Sequence, residues 1–124
     1  MANEFRILIV DDNTELVETF KDIFELKEFK VAFAMNGAEA IERAREAKFD
    51  VVLLDLVMPG MDGAETMKAI KQFAPETPFI IVTAYENSPI AAEVQREGVL
   101  HVFQKPLVIE ELVNFVTRLR EKKG

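Results

Sequence analysis

Five side chains in this sequence could act together on a phosphoryl group: the carboxylates of Asp11, Asp12 and Asp55, the hydroxyl of Thr83 and the ammonium of Lys105. Each has an ordinary explanation when taken alone. An Asp at a strand-to-helix junction serves as a cap, a Thr at a strand end bonds to backbone, and a surface Lys is solvated. Their shared context asks for more, because each follows a short apolar run. Residues 7–10 lead into Asp11-Asp12, residues 51–54 into Asp55, residues 79–82 into Thr83-Ala84, and residues 99–103 toward Lys105-Pro106. Capping also leaves unexplained why Asp55 stands before a loop instead of a helix.

The electrostatics of such a group restrict its chemistry. Carboxylates within about 4–6 Å of one another raise each other's pKa unless a cation intervenes. A hard divalent ion relieves that repulsion, and magnesium keeps several waters while joining one or two carboxylates to a phosphate. Lys105 would add a second positive charge. An ionised carboxylate nucleophile, a metal, a lysine and a hydroxyl are what phosphoryl transfer needs, since that reaction rests on positioning and charge stabilisation.

The elements that must position these groups alternate along the chain. Residues 7–10 are β-branched and aliphatic, as in a strand covered on both faces. Residues 14–27 place Leu16, Phe20, Ile23 and Phe24 at helical spacing, with Asn13 or Asp12 as N-cap. Residues 30–35 read as a second strand, and Asn36-Gly37 opens a helix through Lys48. A third strand covers residues 51–54, the turn-rich stretch 58–63 forms a loop, and a helix runs from 64 to 73. The fourth strand is 79–82. Pro89 starts a helix that Gly98 ends. Residues 99–103 form the fifth strand, and the last helix spans 107 to about 120, with a frayed basic end at 118–123. Five strands alternating with five helices predict a parallel sheet with helices on both faces. In such sheets ligands bind beyond the carboxyl ends of the strands, which is where the five chemical groups lie.

Composition narrows the class. The 124 residues carry 15 basic and 22 acidic side chains, a net charge of -7, which disfavours direct binding to a nucleic-acid backbone. With no cysteine there is no disulfide, thiolate metal site or cysteine nucleophile. The first residues lack the pattern of a secretory signal, and no apolar run is long enough to span a membrane. The expectation is one cytoplasmic domain over residues 1–124, with no cofactor other than a metal.

The spacing Asp11-Asp12, then Asp55-Leu-Val-Met-Pro59-Gly-Met-Asp-Gly63, then Thr83-Ala84, then Lys105-Pro106 resembles the receiver domain of two-component response regulators. The resemblance covers essentially the whole chain and implies a flavodoxin-like fold with strand order 2-1-3-4-5. It implies Asp55 as phosphoacceptor, with Mg2+ held by Asp11, Asp12, Asp55 and the backbone carbonyl of Val57. Lys105 would pair with phosphoryl oxygens, Thr83 would move to hydrogen-bond one of them, and the Lys105-Pro106 bond would be cis. The donor would be a histidine kinase or histidine phosphotransfer protein. No effector domain is expected after the last helix, so the output would be protein–protein.

The chain departs from the family pattern in places. Many receivers carry an aromatic residue where Val102 stands, and Phe103 should face the other side of its strand. Tyr85 is either a stand-in at the pocket rim or a plain loop residue. The positions that tune phosphate loss hold Val57 and Tyr85, neither able to position a water, so loss should be slow. Val99-Leu100-His101 replaces acids used in one mode of dimerisation, which is therefore not expected. His101, without a second ligand, reads as an edge-strand residue rather than a phosphohistidine or metal ligand.

Three alternatives compete. A haloacid-dehalogenase-like phosphatase needs an acid two residues after its nucleophile, but Asn13 follows Asp11 at that spacing and Thr14 follows Asp12. A nucleotide-binding module needs a glycine- or hydroxyl-rich loop after the first strand, where two aspartates stand. A degenerate receiver that only binds partners would lack some of the five groups, and all are present.

Overall fold

The chain folds because its apolar runs can be covered only by pairing side by side under amphipathic helices. The computed structural model describes residues 4–123, so Met1–Asn3 and the end of the expected domain at Gly124 lie outside the described residues. Five strands, β1 (Arg6–Val10), β2 (Lys30–Ala34), β3 (Val51–Leu54), β4 (Phe79–Thr83) and β5 (His101–Gln104), alternate with five helices. The helices are α1 (Thr14–Leu26), α2 (Gly37–Glu46), α3 (Gly63–Phe73), α4 (Pro89–Glu97) and α5 (Ile109–Lys123). All strand pairs are parallel in the order β2-β1-β3-β4-β5. This is the expected flavodoxin-like, doubly wound sheet, whose order reverses between β1 and β3.

Alternation along the strands builds one core on each face. Leu8, Val10, Val52, Leu54, Phe79 and Ile81 pack toward α2, α3 and α4 through Ala40, Met67, Ile70, Ala91 and Val94. Ile7, Ile9, Val51, Leu53, Ile80 and Val82 pack toward α1 and α5 through Phe20, Phe24, Leu112 and Val116. Each such buried side chain contributes about 1.5–3 kcal/mol relative to exposure.

Helix starts follow their caps. Asn13, not Asp12, caps α1 by accepting from Leu16 N–H at 3.1 Å, and Ser88 caps α4 with Pro89 in its first turn. Gly98 ends α4 with φ +95°, a conformation that favours glycine.

Three expected boundaries are corrected. The helix read through Lys48 stops at Glu46, because Ala47 turns extended and delivers Phe49 into the core. The fifth strand begins at His101 rather than Val99, its ladder opening with His101 opposite Ile80. The basic end expected to fray is helical through Lys123. Arg120 lies over the Phe29 ring at 3.9 Å and donates to the Lys27 carbonyl at 2.7 Å, and Lys123 pairs with Asp50, so the last turns of α5 have partners that the sequence pattern did not reveal.

Candidate functional site

The site follows from strand register. Val10 of β1 lies opposite Leu54 of β3, so the next residues, Asp11 and Asp55, leave the sheet level with each other. Their backbones stay in the ladder: Asp11 N–H donates to the Ala34 carbonyl at 3.1 Å and Asp55 N–H to the Val10 carbonyl at 2.9 Å. Side by side in a parallel sheet, strands lie about 4.8 Å apart, which is the crowding that the sequence implied. Oxygens of Asp11, Asp12 and Asp55 all fall within 4.8 Å of one another. Asp11 is 4% and Asp55 7% exposed, whereas Asp12 is exposed.

Lys105 bridges the two buried carboxylates. It leaves β5 with its N–H on the Thr83 carbonyl at 2.8 Å, and its Nζ reaches Asp11 Oδ2 at 2.8 Å and Asp55 Oδ2 at 3.4 Å. The Lys105-Pro106 bond is cis, as expected. The remaining oxygens have local donors: Asn13 N–H donates to Asp11 Oδ1 at 2.9 Å, and Val57 N–H to Asp55 Oδ1 at 3.3 Å. Thr83 is buried at the end of β4 and accepts from Tyr85 N–H at 3.1 Å.

Burial is the main cause that pushes the Asp55 carboxyl above its ordinary range, and the charge of Asp11 adds to it; Lys105 and the Val57 N–H pull the other way without winning. Burial works against the Lys105 ammonium, but the hydrogen bond it donates to Asp11 and the charges of both aspartates outweigh it and hold the lysine above its usual value. Three carboxylates against one ammonium leave the cluster short of positive charge. Its donors are all oxygens, the set that a hard cation of the magnesium type takes, so the residues present fit such an ion.

The departures from pattern also find their places. Val102 packs on the α4 side of the sheet and Phe103 on the α5 side, as alternation requires. Tyr85 is 58% and Val57 49% exposed. His101 lies on the exposed edge of β5, its ring edge-on to Phe103 and tilted against Phe115 with centroids 4.5 and 5.3 Å away, and belongs to no acid or metal-ligand cluster among the described residues. Leu100 is exposed beside the same edge.

Sequence reasoning overlooked supports around the site. Asp62 and Glu65 cap α3 reciprocally, at 2.9 and 3.0 Å, and the spacing Asp-x-x-Glu carried that signal. At Gly63 a Cβ would stand 2.7 Å from Leu56 Cα and 2.9 Å from the Asp55 carbonyl oxygen. α3 thus begins directly against the backbone of the central aspartate, and only glycine fits there.

Comparison with known proteins agrees with this geometry. The sequence model of the response regulator receiver domain matches residues 7–117. The transcriptional regulatory protein ZraR of Klebsiella oxytoca is 41% identical over 106 residues, covering 86% of this chain and 24% of that protein. The chain therefore spans about a quarter of that relative's length. Sporulation initiation phosphotransferase F of Bacillus subtilis is 35% identical over 118 residues, 95% of this chain and 94% of its own length. A CheY-like receiver domain structure from Methanospirillum hungatei superposes with a TM-score of 0.90 at 27% identity, covering 98% of this chain and all of that one (100%).

Proposed function

Because the chain belongs to the response regulator receiver family, we propose that Asp55 accepts a phosphoryl group from a histidine kinase or histidine phosphotransfer protein and that the modified chain signals through a change in its surface. The observation that carries this reading is the Lys105 ammonium held against both Asp11 and Asp55 at 2.8 and 3.4 Å. A buried carboxylate is thereby kept beside a cation at the sheet edge where a donor can approach.

Asp11, Asp12 and Asp55, with the carbonyl of Val57, would hold Mg2+. When bound, that ion would neutralise phosphoryl oxygens and the surplus acid charge. The chain's own residues do the rest. An Asp55 oxygen attacks the phosphorus of a phosphohistidine; the P–O bond forms, the P–N bond breaks, and the imidazole leaves with the electron pair and takes up a proton. Lys105 then pairs with a phosphoryl oxygen, and Thr83 turns its hydroxyl toward another. The added phosphoryl group brings roughly two negative charges, which draw both residues inward and bias the surface between two states. In this role the chain assists its own modification and is not an enzyme acting on a separate substrate. We place it in the cytoplasm, where its donors work; no helix among the described residues is long and apolar enough to cross a membrane.

Acetyl phosphate with Mg2+ tests the reading. A mass gain of one phosphate, lost in Asp55→Asn, is the expected result. No gain with any donor would leave a module that only binds partners, and turnover of a phosphoester would make it a phosphatase. Against the phosphatase stands Asn13, whose side chain is engaged in capping α1.

A further inference from the structure

The loop that carries the Val57 carbonyl has little backbone support of its own. Its ends are tied, by Val57 N–H on Asp55 Oδ1 at 3.3 Å and by Gly63 N–H on the Leu56 carbonyl at 3.0 Å. Between them, residues 58–61 make no backbone–backbone hydrogen bond among the described residues. Gly60 turns the chain at φ +82°, with no atom within 4 Å of where a Cβ would stand. Side chains must therefore place this loop. Leu56 and Met58 are buried in the core beneath α2 and α3, and the half-buried Met61 is the remaining anchor.

Met61 rests on the start of α2. A Cβ at Gly37 would stand 3.0 Å from both Cβ and Sδ of Met61, and 2.4 Å from Thr66 Oγ1 of α3. Thr66 is fully buried and fixed, its hydroxyl donating to the Asp62 carbonyl at 2.8 Å. The backbone at Gly37 is not left-handed, so what glycine supplies there is space. That helix start is registered in turn from β2. Asn36 Oδ1 accepts from Glu39 N–H at 2.8 Å, and Glu39 Oε1 accepts from Met35 N–H at 3.3 Å. One residue earlier, the Ala34 carbonyl accepts from Asp11 N–H at 3.1 Å. Residues 34–37 thus touch both walls of the acidic site, the backbone of Asp11 on one side and the loop after Asp55 on the other.

We propose that residues 34–37 are the spacer of the metal site, and that Met61, seated on Gly37, is a positioning residue for the cation. The inference rests on the reading of Asp11, Asp12, Asp55 and the Val57 carbonyl as the ligands. Met61 acts through the loop backbone, four residues after Val57. With the seat filled, Val57 keeps a fixed place relative to Asp11. With the seat empty, the turn at Gly60 leaves the loop free to shift, and a cation that demands near-ideal octahedral geometry binds less well.

Calorimetric titration of the unphosphorylated chain with Mg2+ tests this. Met61→Ala should weaken Mg2+ binding by about tenfold. Met61→Leu refills the seat and should return affinity to within about twofold of wild type. In acetyl phosphate kinetics, the Met61→Ala defect should raise the half-saturating Mg2+ concentration and leave the rate at saturating Mg2+ unchanged. Leu112→Ala opens the core on the opposite face of the sheet; it controls for lost stability and should keep wild-type Mg2+ affinity. Wild-type affinity in Met61→Ala, or an equal loss in Leu112→Ala, would overturn the spacer. Absence of Mg2+ binding in the wild-type chain is a different failure, which removes the metal reading itself and the spacer with it.

Discussion

In the role proposed for it, Asp55 carries conflicting demands: it would have to be ionised to attack, yet burial and Asp11 favour its neutral form. The consequence is a sign that can be measured. An acid whose folded value is raised favours the folded state least once it has ionised, so without metal the protein should lose stability as pH rises from the ordinary value of 3.8 through the raised folded value. Asp55→Asn should therefore be more stable than wild type by about 1 kcal/mol at neutral pH in chelator. Urea unfolding across pH should show that gap closing toward acid; a gap that stays constant would mean that the charge is not its source. Lys105→Ala should keep phosphorylation by acetyl phosphate but weaken the phosphate-dependent surface change, read as a smaller difference in partner affinity between the two forms. It should also destabilise the metal-free protein by about 1–3 kcal/mol, because two buried carboxylates lose their shared cation. Val57 and Tyr85 have side chains too apolar or too exposed to position an attacking water, so the phosphoryl group should persist for minutes or longer, and Val57→Glu should shorten its life. Decay of the phosphorylated mass within seconds in the wild-type protein would refute this.

At the scale of elements, the loop from Asp55 to α3 is set by how that helix begins. Gly63→Ala would push a methyl group against Leu56 Cα and the Asp55 carbonyl, with no flexible side-chain end to yield at either atom. The variant should be less stable by about 2 kcal/mol and should phosphorylate more slowly, because the backbone on either side of the shift carries Asp55 and Val57. Asp62→Ala removes one half of the reciprocal cap and should cost about 1 kcal/mol while leaving the phosphorylation rate closer to wild type. Thermal unfolding and acetyl phosphate kinetics on the two variants separate the effects. Equal rates in both would place the constraint in the cap and not in the close approach of Gly63.

For the molecule as a whole, stability and site geometry share the same strands. Leu54 is fully buried on β3, paired with Val10 on one side and Ile81 on the other. Leu54→Ala should cost about 2–5 kcal/mol in a single cooperative transition, and far-UV and near-UV signals should lose structure together in urea. Two separate transitions would indicate that the two faces of the sheet unfold independently. The two edge strands, β2 and β5, are the least buried of the five.

The alternation of elements is written in local patterns, continuous aliphatic runs and helical spacing, and those patterns also show which chemical groups stand at strand ends. Asp55 before a loop, Asp11-Asp12 after β1 and Lys105 before a proline were legible for that reason. The caps at Asn13, Ser88 and Asp62 were legible in principle too, as each is a contact only three residues long. Tertiary structure alone decided the rest. The helical end of α5 depends on Phe29, Lys27 and Asp50, which lie far away in the chain. Lys71 reads as an ordinary exposed lysine until α4 is laid beside α3 and its Nζ meets the Glu97 carbonyl. The bridge from Lys105 to Asp11 and Asp55 spans 94 and 50 residues, and no local pattern records such a distance. Only parallel register, one residue of β1 level with one of β3, turns three separate aspartates into one site.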